Sequence, residues 1–132
     1  MLFRSYVENG VRWGGGSDYD VTPLPARYGL WASVARETQS GIHGKTPFGT
    51  AQSVDAVTAL RSFTTWAAHQ LFLDAEAGSI EPGKSADIAV WDRDPTGVPV
   101  AQIRDMKCEM TLFRGKVVFR AEGSAVGAPG RG

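Results

Sequence analysis

Gly78-Ser79-Ile80-Glu81-Pro82-Gly83-Lys84-Ser85-Ala86-Asp87-Ile88-Ala89-Val90-Trp91-Asp92 decides how the second half of this chain folds. The proline presets φ at the second position of a four-residue turn, and the glycine after it favours the type II form. Ala86 to Asp92 then alternates as a strand, with Ile88 and Val90 on one face and Ala89 and Trp91 on the other. Asp87 has a short carboxylate able to bond the backbone of the turn. Gly78, Pro82, Gly83 and Asp87 therefore read as structural turn residues rather than catalytic ones. Asp94-Pro95 ends the strand, and residues 96–106 form a loop with at most one helical turn. Lys107 to Phe113 alternates again, Arg114-Gly115 makes a two-residue turn, and Lys116 to Arg120 returns. This is a β-hairpin.

The first half has a different rhythm. Leu2, Phe3, Tyr6 and Val7 recur at helical spacing, and Asn9-Gly10 closes that helix. Val11-Arg12-Trp13 reads as a short strand running into Gly14-Gly15-Gly16-Ser17-Asp18. Pro23 and Pro25 keep residues 19–27 irregular. Tyr28 to Glu37 reads as a helix with Leu30, Trp31 and Val34 on one side. A polar loop over residues 38–51 carries His43 and Lys45. Ser53 is an acceptable N-cap for a long helix through Val54, Val57, Leu60, Phe63 and Ala67 to His69. The end, Ser124 to Gly132, is small residues and proline and reads as a disordered tail. A helix, turn and strand packed into the first residues look like the middle of an α/β repeat. The alternative is a small α+β domain that starts at residue 1, and the pattern favours neither.

Composition narrows the function. The 132 residues are 42% hydrophobic and 21% charged, ordinary for a globular domain. Fourteen basic and fourteen acidic residues cancel, which argues against a nucleic-acid partner. No apolar run approaches the ~20 residues of a membrane span, and no signal peptide is visible. One cysteine, Cys108, excludes an internal disulfide and makes a reducing, cytoplasmic location the default. Two histidines are too few for a self-contained histidine metal site.

The turn and strand from Gly78 to Asp92 closely resemble the C-terminal signature of metal-dependent amidohydrolases. The run Thr111-Leu112-Phe113-Arg114-Gly115-Lys116-Val117-Val118-Phe119 fits the hairpin that follows it in those enzymes. Gly16-Ser17-Asp18 is similar to the end of their eighth barrel strand. Ala59-Leu60-Arg61-Ser62-Phe63-Thr64, with Ala67-Ala68, resembles the helix after it. The subgroup most resembled is amidohydrolase family 3, the type of the N-substituted formamide deformylases, and the likeness spans roughly residues 1–121.

The resemblance implies an α/β plus β fold. Residues 1–76 would be the C-terminal portion of a metal-dependent hydrolase barrel, containing the last (β/α) repeat of a TIM barrel. Residues 77–121 would be strands of the small composite β-sandwich, and 122–132 the tail. It also implies that Asp18 is both a ligand to a divalent metal, zinc or similar, and the carboxylate that takes a proton from the bound water. Read without the family, Asp18 is an aspartate capping a turn at a strand end. Arg36 is a candidate for binding the substrate, against the plainer reading of a solvated helix-face arginine. Asp20 completes an Asp18-x-Asp20-x-Thr22 pattern similar to the nucleophile loop of haloacid dehalogenase-like phosphatases, but the preceding glycines do not suit that loop. His69 suits a helix C-terminus. Trp31, Trp66 and Trp91 read as packing, and Cys108 as a small hydrophobe on a strand.

The His-x-His pair, the middle-strand lysine or glutamate and the further histidines of the family pattern do not occur in this sequence. The expectation is a C-terminal portion of an enzyme acting on a small-molecule amide, formamide or cyclic amide, inactive as an isolated chain and binding no metal stably alone. Its missing N-terminal portion would lie elsewhere. The alternative is a non-catalytic binding or assembly module built from amidohydrolase parts, pairing as a homo-oligomer through an exposed strand edge.

Overall fold

The computed structural model describes residues 2–39 and 46–126. In order, these form α1 (Phe3–Glu8), α2 (Ala26–Ala35), a 3-10 turn (Thr50–Gln52), α3 (Ala56–Ser62), α4 (Thr65–Gln70), β1 (Ile88–Trp91), α5 (Val100–Ile103), β2 (Cys108–Phe113) and β3 (Lys116–Arg120). His43 and Lys45, and the tail beyond Val126, lie outside the described residues.

The three strands form one antiparallel sheet in the order β1-β2-β3. Ile88 pairs with Leu112 and Val90 with Met110, while Thr111 pairs with Phe119 and Phe113 with Lys116. The hairpin turn has the chemistry expected of it. Arg114 and Gly115 both have positive φ, 50° and 77°, as a type I′ connection requires. Glu81–Lys84 is also a turn, with the Lys84 N–H donating to the Glu81 carbonyl at 3.2 Å and Gly83 at φ 92°. The two turns are joined. The Asp87 carboxylate accepts the Arg114 N–H at 2.7 Å, and the Ala86 carbonyl accepts that of Gly115 at 3.0 Å. Asp87 thus bonds the hairpin turn 27 residues on, not its own.

A single apolar core runs through both halves. Trp13, Leu30, Trp31, Val54, Ala59, Ile103 and Met106 are buried together. Trp31 and Met106 are 2% exposed, and Ile103 is fully buried. Ile103 belongs to α5, between β1 and β2, so the β-rich half contributes a plug to the helical half. Trp66 and Trp91 pack half-buried against this cluster.

Three expectations need correction. The expected strand at Val11-Arg12-Trp13 has no ladder: residues 11–17 are in no strand among the described residues. An extended segment counts as a strand only when a neighbour takes its backbone hydrogen bonds, and none lies beside it here. The long helix from Val54 to His69 is two helices, broken at Phe63–Thr64. There the Ser62 and Thr64 hydroxyls donate back to the carbonyls of Ala59 (2.7 Å) and Leu60 (2.9 Å), a competition that bends helices. The N-cap is Asp55, not Ser53. Its carboxylate accepts the Thr58 N–H at 2.7 Å, whereas Ser53 closes the preceding 3-10 turn. That hydrogen bond holds the Asp55 carboxyl below its ordinary pKa of 3.8.

Candidate functional site

The loop that carries Asp18 is positioned from a distance. Trp13 is wedged between aromatic rings, stacked on Phe3 at 5.2 Å and edge-on to Trp66 at 5.0 Å. The next two residues are tied to the α3–α4 region. The Gly14 N–H donates to Gln70 Oε1 at 2.7 Å, and the Gly15 N–H donates to the Ser62 carbonyl at 2.7 Å. Ser62 is the last residue of α3, so Gly15 satisfies a carbonyl that the helix itself leaves open. Only a glycine fits there. A Cβ at position 15 would lie 2.6 Å from the Phe63 ring.

Past these anchors the chain turns outward. The Val21 N–H bonds the Asp18 carbonyl at 2.7 Å, and the Thr22 hydroxyl bonds the Ser17 carbonyl. Asp18 sits in the left-handed region, φ 49°, a conformation aspartate tolerates better than most residues. It is exposed, as is Asp20. Among the described residues, no hydrogen bond or ion pair engages either carboxylate. Asp18 is therefore an open carboxylate on a short turn, held by a buried tryptophan and two backbone bonds.

Arg36 lies elsewhere. It is the left-handed C-cap of α2, φ 57°, and its carbonyl accepts the Phe48 N–H at 2.6 Å. It is half-buried, not a solvated helix-face residue, because its guanidinium lies over the Phe3 ring, 5.2 Å from the centroid. Its Nε is buried with no hydrogen-bond partner among the described residues. No hydrogen bond or ion pair joins Arg36 to Asp18 among those residues. The other sequence-derived positions, Gly78, Pro82, Gly83 and Asp87, belong to the turn and hairpin assembly. His69 lies in the last turn of α4 and faces Asp74 at 3.8 Å. Half-buried Cys108 holds its thiol 3.4 Å from the Thr111 hydroxyl.

Sequence reasoning missed two features. One is a set of carboxylates that brace loops. Asp92 bonds the Lys107 N–H at 2.9 Å and pairs with Arg93 at 2.8 Å, and both contacts lower its carboxyl pKa, that to Arg93 the more. Asp94 caps its own turn through the Thr96 N–H at 2.8 Å, a signal visible in Asp94-Pro95-Thr96. The other is a cleft of about 610 Å³ between α2, the α3–α4 pair and the turn leading to β1. Its wall is largely apolar, including Leu30, Leu60, Phe63 and Trp91. Neither Asp18 nor Arg36 lines it. No periodicity could have shown it, because its walls come from segments far apart in sequence.

The donor set does not make a metal centre. Among the described residues, no three His, Cys, Asp or Glu side chains come together to hold an ion. Asp18 alone, exposed and with no second ligand beside it, does not fit one. None of the described helices is long and apolar enough to cross a membrane.

Comparison with known proteins identifies the family. Residues 2–119 match the family model described as "Amidohydrolase family". The chain is 36% identical over 122 residues to an N-substituted formamide deformylase of Arthrobacter pascens, covering 92% of this chain and 22% of that protein. It is 22% identical over 119 residues to a putative amidohydrolase of Bacillus subtilis (strain 168), covering 90% of this chain and 22% of that one. Among solved structures, an amidohydrolase from Thermotoga maritima MSB8 superposes with a TM-score of 0.66 at 24% identity, over 90% of this chain and 26% of that one. A prolidase solved with N-methylphosphonate-L-proline superposes with a TM-score of 0.53 at 28% identity, with the same coverage. The chain thus spans about a fifth of the length of the curated relatives it matches. With its family model matched over nearly all of its length, this chain belongs to the amidohydrolase family, whose members are generally metal-dependent.

Proposed function

We propose that this chain is the C-terminal part of a metal-dependent amidohydrolase that hydrolyses a C–N bond in an amide, formamide or cyclic amide. Residues 1–76 are the last portion of its barrel, 77–121 a segment of its β-sandwich, and 122–132 a tail. The segment from Val11 to Asp18 is then the last barrel strand, lacking here the neighbour that would complete its ladder. The observation that carries the reading is the placement of Asp18. An open carboxylate ends a segment anchored on its own following helices, in a chain 36% identical to an N-substituted formamide deformylase. The strand-end location is where barrel enzymes put their chemistry.

In this reading Asp18 moves a proton. Its carboxylate takes one from the water that attacks the carbonyl carbon, and returns it to the nitrogen as the C–N bond breaks. An amide nitrogen leaves only once protonated, so one carboxylate serving both steps suffices. Arg36, over Phe3, is assigned to substrate binding through its guanidinium. Among the described residues no three ligating side chains come together, and in this reading the isolated chain is inactive.

Two experiments test this. The purified chain, supplied with zinc or manganese, should give no turnover on a panel of N-substituted formamides and amides; clear turnover overturns the inactive assignment. A chimera of the Arthrobacter pascens deformylase, with this chain in place of the matched stretch, should hydrolyse formamides. Asp18→Asn in that chimera should then lower kcat by about 10²–10⁴-fold, and unchanged kcat would remove Asp18 from the chemistry.

A further inference from the structure

A second pocket, of about 550 Å³, lies on the seam between the helical and the β-rich halves. Its wall takes Arg27 and Tyr28 from the first turn of α2, Arg104, Asp105 and Lys107 from the segment joining α5 to β2, and Phe119 from β3. Neither Asp18 nor Arg36 lines it. Three of these side chains are cations and one is an acid.

The two arginines are held in place. The Arg27 Nε–H donates to the Arg104 carbonyl at 2.9 Å, and its Nη2 donates to the Tyr28 hydroxyl at 3.0 Å. The Arg27 guanidinium lies 4.5 Å from the centroid of the Tyr28 ring, and that of Arg104 lies 5.3 Å from the centroid of the buried Trp31 ring. Each planar cation therefore rests a face on an aromatic ring and keeps further N–H groups at its edge. Tyr28 accepts from Arg27, so its own O–H is left to donate.

The charge is not balanced from within. Asp105 meets Arg104 only at 3.8 Å, with its side chain 65% exposed. Asp92 is held below the ordinary carboxylate range chiefly by Arg93 and least by Lys107, and it pairs with Arg93 at 2.8 Å. Among the described residues no ion pair engages Arg27 or Lys107. Cations gathered at one place repel, and an anion between them turns that repulsion into attraction.

The donors select the anion. A guanidinium edge matches phosphate oxygens in parallel pairs, and an ammonium adds a point charge. Three cations against one loosely engaged acid leave a local excess of two positive charges, which a phosphate monoester, carrying about −1.5 to −2 at neutral pH, neutralises. Phe119, 48% exposed, offers its ring to the organic group of such an ester. A nucleic-acid strand needs an extended basic surface, and fourteen basic residues against fourteen acidic ones do not supply it.

We infer that this pocket binds a small phosphate monoester, its phosphate held by Arg27, Arg104, Lys107 and the Tyr28 hydroxyl and its organic group laid against Phe119. The site is separate from Asp18 and does not depend on the hydrolase reading. Its walls come from α2, the α5–β2 segment and β3, so the ligand binds only the folded chain and ties the two halves together.

The test titrates inorganic phosphate and phenyl phosphate into the isolated chain at constant ionic strength, reading thermal unfolding and backbone amide NMR shifts. Both probes should saturate and raise the melting temperature, as ligands of the folded state do. The largest shifts should fall at residues 27–28 and 104–107. Phenyl phosphate should bind at least about tenfold tighter than phosphate through its ring, and equal affinity overturns the placement against Phe119. Lys107 is exposed and its side chain is unpaired among the described residues, so its replacement spares the fold. Lys107→Glu should weaken both probes at least about tenfold. Arg27→Lys keeps the charge and loses the fork, and should weaken phosphate by about as much. Arg4→Glu, the same charge change on exposed α1, should leave affinity within about twofold. Equal weakening by Lys107→Glu and Arg4→Glu would reduce the effect to net charge and overturns the site. So does binding indifferent to Lys107→Glu and Arg27→Lys, or the absence of a saturable shift with either probe. Succinate bound as tightly as phosphate would make the ligand a dicarboxylate and overturns the phosphate assignment.

Discussion

The β2–β3 hairpin and the Trp13–Asp18 loop are both short, glycine-marked stretches, yet they are held in opposite ways. The hairpin is a local object. Its turn residues adopt the positive φ angles of a type I′ turn and its strands pair across that turn, with one carboxylate from outside the hairpin, Asp87, clamping it. The Asp18 loop is held by partners about fifty residues away: the Trp66 ring, the Gln70 amide and the Ser62 carbonyl. The first has its turn and register specified by its own residues, even though β1 pairs beside it. The other exists only after α3 and α4 have packed, and it forms no ladder of its own.

The contrast breaks most sharply at Trp13. Trp13→Ala should cost about 3–5 kcal/mol in chemical denaturation, as expected for removing a buried aromatic. It should also release the 14–18 backbone to hydrogen exchange while the hairpin amides stay protected. Gly15→Ala should cost about 1–3 kcal/mol, because the new methyl group meets the Phe63 ring. A neutral result would mean that Phe63 moves aside freely. On the local side, Asp87→Ala should cost about 1 kcal/mol and raise exchange at Arg114, without touching residues 14–18.

Asp55 sharpens the comparison through pH. Its folded carboxyl lies below the ordinary 3.8, chiefly because it accepts the Thr58 N–H. The stabilisation is therefore complete above the unfolded value and is lost as pH falls through the folded one. Asp55→Ala should cost about 1 kcal/mol at neutral pH, and the gap in thermal stability between parent and variant should begin to close as pH falls below ~4 and vanish only below the folded value. The smallest effect is expected at Arg114, a non-glycine residue with φ 50°. Arg114→Asn suits a type I′ turn better and should add a few tenths of a kcal/mol, read as a higher melting temperature with unchanged exchange at Gly15.

The same division governs what could be read in advance. Pro82-Gly83, Asp94-Pro95 and Arg114-Gly115 marked the turns, and the period-two runs between them became β1, β2 and β3, because turn preferences and alternation act over a few residues. Periodicity also located α1, α2 and the α3–α4 region. It could not show the break at Phe63–Thr64, since apolar spacing continues across it while hydroxyl groups and a tertiary donor, the Gly15 N–H, compete for the backbone carbonyls. Ser53 suited a cap by residue type, but both Ser53 and Asp55 have extended backbone, and it is the Asp55 carboxylate that accepts the Thr58 N–H at the start of α3. Arg36 looked like a surface arginine until α1 placed Phe3 beneath its guanidinium. Asp18 was legible as a carboxylate after a run of glycines, but neither the missing ladder over residues 11–17 nor the bonds that hold its loop were.

The sequence by itself determined the turns and the hairpin with its two-residue connection, which rest on local φ preferences and side-chain alternation; the Gly78–Asp92 stretch, by its resemblance to a known signature, pointed to the amidohydrolase family. Only the tertiary structure decided that Ile103 and Met106 plug the helical core, that Gly15 lies against Phe63, that Asp18 stands open with no metal-ligating neighbours among the described residues, and that an apolar cleft faces outward beside Phe72. Each of these depends on side chains distant in the chain meeting in space, and short-range pattern carries no record of such meetings.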